Sequence, residues 1–251
     1  VIARRTLLTA PALLLARQAQ AAIPAATPIA RLDTKWWRER HAAKLAEAKR
    51  VQPGLVWLGD SITQNFERDG PEPWAHYVPV WQRYYGAYRP LNLGFSGDAT
   101  CHLLWRIEHG ELDGIAPKAA VMLIGANNLG RLHWSAEDSV DGIEAVLAAT
   151  RKRHPHIRIL LLSVLPSDRT AWASQTTIAI NAGLARRYGG RTDMAYQDVT
   201  SVFMHGGVLD HELYYDPKLT PPEDALHPTA DGMARLSAAI APSVSAMMKA
   251  S

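Results

Sequence analysis

Leu55-Val56-Trp57-Leu58-Gly59-Asp60-Ser61-Ile62-Thr63 is the stretch that decides the fold. Four apolar residues follow Pro53-Gly54 and end at a glycine and two polar residues. This is the grammar of a buried strand, a tight turn and the first turn of a helix. Two further apolar runs repeat it: Ala119 to Ile124 before Gly125, and Ile157 to Val164 before Pro166. Amphipathic helical patterns lie between, notably Ser139 to Arg153, with Val140, Ile143, Val146 and Leu147 on one face. A helix from Asp33 carries Trp37, His41, Leu45 and Ala48 at helical spacing, and another from about Thr229 to Met248 closes the chain. Short buried strands alternating with helices predict an α/β fold, a mainly parallel sheet covered on both faces. Ligand sites in such sheets lie beyond the carboxyl ends of the strands, where the polar turns of this chain are.

Composition agrees with one enzyme-sized domain. The chain has 251 residues, 47% of them hydrophobic and 20% charged, which excludes a disordered, collagenous or membrane protein. Cys101 is the sole cysteine, so no internal disulfide and no Cys-x-x-Cys metal or redox site is available. The net charge of +3 belongs mainly to the first 22 residues, which hold Arg4, Arg5 and Arg17 and no acid. No basic stripe for nucleic acid remains once they are set aside.

Those residues have the order of an export signal: charged start, apolar stretch from Thr6 to Ala16, and a small-x-small end at Ala19-Gln20-Ala21. The stretch is shorter than the roughly 20 residues a membrane span needs. Arg4-Arg5 before it resembles a twin-arginine signal, which predicts a periplasmic or secreted protein. Residues 23–32, rich in Ala and Pro, read as a linker, leaving 33–251 as the folded domain.

Four turns carry candidate chemistry. Ser61 stands at a strand-to-helix turn, where its hydroxyl is exposed and its N–H lies at a helix N-terminus. Taken alone, Asp60 or Ser61 serves equally well as a helix cap. Asp224-Ala-Leu-His227-Pro228 offers a base, His227, and a carboxylate three residues earlier that a turn can bring beneath it. Pro228 disfavours helical geometry at His227, so the imidazole can project from a loop. Asn92 to Asp98, containing Gly97, and Gly125-Ala126-Asn127-Asn128 could supply donors for an oxyanion, although each by itself reads as an ordinary turn. His102, His109, His133, His154 and His156 show no metal-like spacing with Glu or Cys, and His41 reads as a packing residue on its helix face. Phe203 to Pro222, with Tyr214-Tyr215, reads equally as a pocket edge or a plain loop. Gly94-x-x-Gly97 lacks the Gly-x-Gly-x-x-Gly spacing of a dinucleotide site.

Together, Gly59-Asp60-Ser61, Gly97, Gly125-x-Asn127 and Asp224-x-x-His227 resemble the four sequence blocks of the SGNH (GDSL-like) hydrolases, in their usual order. The stretch from Asn92 through Leu104-Trp105-Arg106 to Gly110-Glu111-Leu112, continued from Pro117 to Asn128, is similar to the catalytic subunits of intracellular platelet-activating-factor acetylhydrolase. That pattern often has Gly where this chain has Ser96, and Thr where it has Ala126. The resemblance implies a flavodoxin-like three-layer α/β/α sandwich with a five-stranded parallel sheet. It also implies a triad of Ser61, His227 and Asp224, and an oxyanion hole from Ser61 N–H, Gly97 and Asn127. Asp60 and Asp98 become supporting groups behind these, and no metal or organic cofactor is required. The expected substrate is a small-molecule or glycan ester, with acetylated sugars ahead of phospholipid or thioester substrates. A glycan-binding module that keeps the fold without turnover is the alternative of another class. No heptad seam stands out, so the sequence leaves the oligomeric state open.

Overall fold

The computed structural model describes residues 23–191 and 194–249. The segment read as an export signal lies outside the described residues. Five parallel strands form the central sheet: β1 (Leu55–Gly59), β2 (Pro90–Gly94), β3 (Ala119–Leu123), β4 (Arg158–Leu162) and β5 (Ala195–Gln197), in the spatial order β2-β1-β3-β4-β5. Every residue of β1 and β3 is buried, as expected of central strands covered on both faces.

Among the described residues, eight α-helices flank the sheet: α1 (Lys35–Val51), α2 (Ser61–Gln64), α3 (Tyr77–Tyr85), α4 (Thr100–Glu108), α5 (Ala126–Gly130), α6 (Ala136–Arg153), α7 (Ala171–Tyr188) and α8 (Ala230–Lys249). On one side α3 packs with α8, which lies on β3 and β4. On the other, α4, α6 and α7 pack in series, and α1 joins them where Trp37 meets Trp105, ring centroids 5.4 Å apart. Thus α/β/α layering holds. The inner face of α1 buries Trp37, His41, Lys44 and Ala48, with Leu45 only half-buried. Lys44 is drawn in because Glu47 and Glu67 both accept from its Nζ, at 2.7 and 2.5 Å. Cys101 is buried, and burial pushes its thiol up to about 12. None of the described helices is long and apolar enough to cross a membrane.

Residues 23–32 are not the free linker that their composition suggests. Ala25 is buried, its carbonyl accepts from Thr100 Oγ1 at 2.8 Å, and Ile29 N–H donates to Cys101 O at 3.1 Å. This strap runs over α4 and α6 and ends with Arg31 reaching Ser96 O and Asp98. Small apolar residues permit the close approach, and the hydrogen bonds satisfy the backbone groups it buries.

The carboxyl ends of β1, β2 and β3 lie side by side, Gly59 in register with Gly94 and with Leu123. The turn after β1 therefore sits directly above the end of β2. A Cβ at Gly94 would run into the backbone of Asp60, Thr63 and Gln64, so only glycine lets the two turns touch. Asp60 caps α2, its Oδ1 accepting from Ile62 N at 3.0 Å. Burial drives its pKa up from 3.8 to about 6, against the opposing pull of the Ile62 N–H and of His227.

A raised carboxyl pKa means that the folded chain holds this proton more tightly than the unfolded chain does. The associated stability is complete below about pH 4 and is lost as pH rises through about 6. Asp60→Asn keeps a capping oxygen but cannot ionise. Urea unfolding across pH 4 to 8 is expected to show the variant gaining on the wild type up to about pH 6 and then holding level, with a total gain of about 3 kcal/mol. A difference that is flat with pH would contradict the account.

Candidate active site

Ser61 is the first residue of α2, 9% exposed, and its Oγ lies 3.0 Å from His227 Nε2. His227 belongs to the loop before α8. Its Nδ1 is 2.7 Å from Asp216 Oδ1, so one imidazole spans a hydroxyl and a carboxylate 166 and 11 residues away in the chain. Asp216 is buried, and its Oδ2 also accepts from the backbone N–H groups of His227 and Leu226, at 2.5 and 2.9 Å. Burial works to raise its pKa. The hydrogen bond and charge of His227, with the two N–H groups, outweigh that and hold the carboxyl below its ordinary range.

The expectation that Asp224 lies under His227 is not met. Asp224 is exposed, its carboxylate makes no hydrogen bond to any described residue, and it stands on the rim of the cavity beside His227. The loop explains this. Glu223 N–H donates to Asp216 O at 3.0 Å and Ala225 N–H to Asp168 Oδ1 at 2.9 Å, which turns Asp224 outward while Leu226 and His227 face Asp216. Asp216 thereby fills the space next to Nδ1. Sequence reasoning left Asp216 unassigned within the 203–222 segment, because it stands outside the three-residue spacing. The only signal was its place beside Tyr214-Tyr215 in a segment already suspected of edging the pocket.

Aromatic groups fix the base further. The Tyr215 ring stacks on His227 at 5.4 Å and 8°, and Tyr215 N–H donates to His227 O at 3.0 Å. Tyr77 OH donates to Pro228 O at 2.7 Å. An imidazole held on two edges and one face has little rotational freedom.

The donor side is built from the turns after β2 and β3. Gly97 has φ +76°, a left-handed conformation that favours glycine. Its N–H has no acceptor among the described residues. Asn127 Nδ2 donates to Asp98 O at 3.0 Å, which ties this amide to the Gly97 loop and leaves its second hydrogen free of that bond. Asn128 anchors the same turn, its amide bonding Thr100 N and Oγ1, both at 3.0 Å.

Beneath the Gly97 loop lies a buried charge network. Asp98 accepts from Arg31 Nη1 and Trp37 Nε1, each at 2.8 Å, and from Arg106 Nε at 2.9 Å. Arg106, fully buried, also reaches Leu93 O and Gly59 O at 3.2 Å, pairs with Glu111, and lies 3.9 Å over the Phe95 ring. Asp98 thus joins the Gly97 loop to Arg31, Trp37 and Arg106, and the last of these carries no role in the sequence pattern. His41 and His102 take structural positions. His41 stacks on Trp37 at 5.7 Å, and His102 Nδ1 accepts from Ala99 N at 3.0 Å. Burial brings each imidazole down to about 4.

A cavity of about 470 Å³ opens beside His227. Its walls include Leu129, His133, Arg169, Trp172 and Leu226, with Glu223 and Asp224 along the rim. Among the described residues, no group of three or more His, Cys, Asp or Glu side chains is placed to hold a metal ion.

Residues 57–235 match the GDSL-like Lipase/Acylhydrolase family. Human platelet-activating factor acetylhydrolase IB subunit alpha1 is 30% identical over 182 residues, covering 72% of this chain and 74% of the relative. The rat alpha2 subunit is 28% identical over 219 residues, 85% of this chain and 86% of the relative. Among solved structures, a GDSL-like lipase from Bacteroides thetaiotaomicron superposes with a TM-score of 0.63 at 18% identity, over 83% of this chain and 97% of its own. A carbohydrate acetylesterase family member from Sinorhizobium meliloti gives 0.59 at 17% identity, over 78% of this chain and 99% of its own. The structures share the fold, and the family match extends over most of the chain. The protein is therefore an ester-cleaving hydrolase and belongs to the GDSL-like lipase/acylhydrolase family.

Proposed function

We propose that this protein is a serine esterase that removes short acyl groups, acetyl above all, from sugar or polysaccharide esters. The relay Ser61 Oγ–His227 Nε2 and His227 Nδ1–Asp216, at 3.0 and 2.7 Å, is the observation that carries it. In this reading Ser61 Oγ attacks the ester carbonyl while His227 Nε2 takes its proton, and Asp216 holds the imidazole in the tautomer that accepts there. Negative charge on the carbonyl oxygen is met by the N–H groups of Ser61 and Gly97 and by Asn127 Nδ2. The carbon–oxygen bond to the alcohol breaks as His227 returns the proton to the departing oxygen. Water then attacks the acyl-serine, gives its proton to His227, and releases the carboxylic acid as Ser61 is regenerated.

Substrate class rests on the walls. Charged and hydrogen-bonding groups crowd the cavity beside His227, and Trp172, 41% exposed, offers a flat face of the kind that sugars stack on. A long acyl chain is better served by a predominantly apolar pocket. The second reading, a phospholipid acetyl ester, is favoured by the similarity to platelet-activating factor acetylhydrolase subunits. Work outside the cytoplasm is part of the proposal and rests on the signal-like order of residues 1–22.

Initial rates on a p-nitrophenyl ester series are expected to be highest for acetate and to fall with chain length. Loss of all ester turnover in the wild type would remove the proposal, and a preference for longer chains would move the substrate to lipids. Ser61→Ala is expected to abolish hydrolysis. Asp216→Asn should lower kcat by about 10²–10⁴ with circular dichroism preserved, because the amide favours the wrong tautomer. Asp224→Asn should change kcat by only a few-fold, and the reverse ranking would return the orienting role to Asp224.

A further inference from the structure

Arg169 is a cation whose hydrogen-bonding capacity is only partly used among the described residues. It follows β4, just before Thr170 caps α7, and it is half-buried in the wall of the cavity that His227 and Asp216 also line. Nη2 donates to Ala126 O at 3.0 Å, and Nε reaches Ser167 Oγ at 3.5 Å. Nη1 makes no hydrogen bond, and no carboxylate of the described residues lies within ion-pair distance. Burial lowers the pKa of the group, with Asp60 and Asp216 opposing at longer range. Gly130 makes room for it, since a Cβ there would collide with Nη1. A guanidinium offers five N–H donors in a planar fork suited to a carboxylate or phosphate. Keeping one partly dehydrated without an acidic partner is costly unless a ligand supplies the charge.

The surroundings support an external anion. Arg131, exposed, extends over Gly97 from the C-terminal end of α5, so a second guanidinium lies near the Gly97 loop. His133 meets Trp172 at 5.5 Å, forming an aromatic part of the cavity wall that Arg169 also lines. Three acids share this cavity and none pairs with Arg169: Asp216 is committed to His227, and Glu223 and Asp224 stand exposed on the rim. We propose that Arg169 binds an oxyanion group, a carboxylate or a phosphate, carried on the alcohol portion of the ester. This rests on the reading of Ser61 and His227 as the reacting pair.

The test uses three aryl acetates that differ only in the para substituent: 4-acetoxybenzoate, 4-acetoxyphenyl phosphate and the neutral 4-acetoxybenzamide. At low salt, at least one anionic ester is expected to exceed the amide in kcat/KM by about tenfold to a hundredfold, mainly through KM. The larger gain tells carboxylate from phosphate. Arg169→Met should bring that ratio close to one, and Arg169→Lys should restore part of it. The ratio separates recognition from the support that Nη2 gives Ala126 O, because loss of that support would slow all three esters alike. No anion preference in the wild type, a preference surviving in Arg169→Met, or an equal loss on all three esters would overturn the proposal. Calorimetric titration of the same compounds into Ser61→Ala keeps the two readings apart. Arg169-dependent binding of the anions without any turnover by the wild type would leave the anion site standing and remove the esterase mechanism. Turnover without charge preference would do the opposite.

Discussion

The buried ion pair between Asp98 and Arg106 is the constraint on which the donor side of the site depends. Both side chains are fully buried, 2.9 Å apart, in a position where dehydrating two charges costs several kcal/mol per ion. Such a pair is poor evidence for stability, and a hydrophobic replacement could fill the same space. What it supplies is geometry. Arg106 holds a carboxylate of the β2–α4 loop and the carbonyls of Leu93 and Gly59 at the ends of two neighbouring strands, so the Ser61 turn and the Gly97 loop share one anchor. Glu111, which accepts from the same guanidinium, pays for its burial with a pKa pushed up to about 7.

Two carboxyl groups near Ser61 are driven in opposite directions by their surroundings. Asp60, with one backbone N–H against full burial, is raised. Asp216, with two backbone N–H groups and an imidazole, is lowered. The charge available to His227 therefore comes from the acid that is hydrogen-bonded to it, while the acid adjacent in sequence to Ser61 serves the backbone. Environment, not proximity along the chain, separates the two.

Much of this was legible in the sequence, and the reasons differ by element. β1, β3 and β4 are runs of apolar residues ended by polar turns, so their burial and direction could be read directly. β5 is three residues long, Ala195–Gln197, with an exposed first residue, and carries no periodicity to detect. Ser61, Gly97, Asn127 and His227 each follow a recognisable turn, and the structure brings Ser61 to His227 and Asn127 to the Gly97 loop. Asp216 could not be read, because its pairing with His227 is decided by which backbone N–H groups the intervening loop turns inward. Arg169 escaped for a related reason: an arginine after a strand is unremarkable until its missing partner is seen. The Ala- and Pro-rich composition of residues 23–32 suggested a tether, yet small side chains are also what lets a backbone lie closely over two helices.

That last point alters where the functional unit begins. Trimming the chain at Asp33, the boundary that composition recommends, would retain the five sheet strands and the eight α-helices described above, together with Ser61, His227 and Asp216. It would also strip Arg31 from Asp98 and Ser96, and Ala25 from the groove beside Thr100 and Gly142. The shortened protein would leave the Asp98 carboxylate with only Trp37 and Arg106 as donors beneath the Gly97 loop. A stretch that looks dispensable is, by its contacts, a brace for the Gly97 loop.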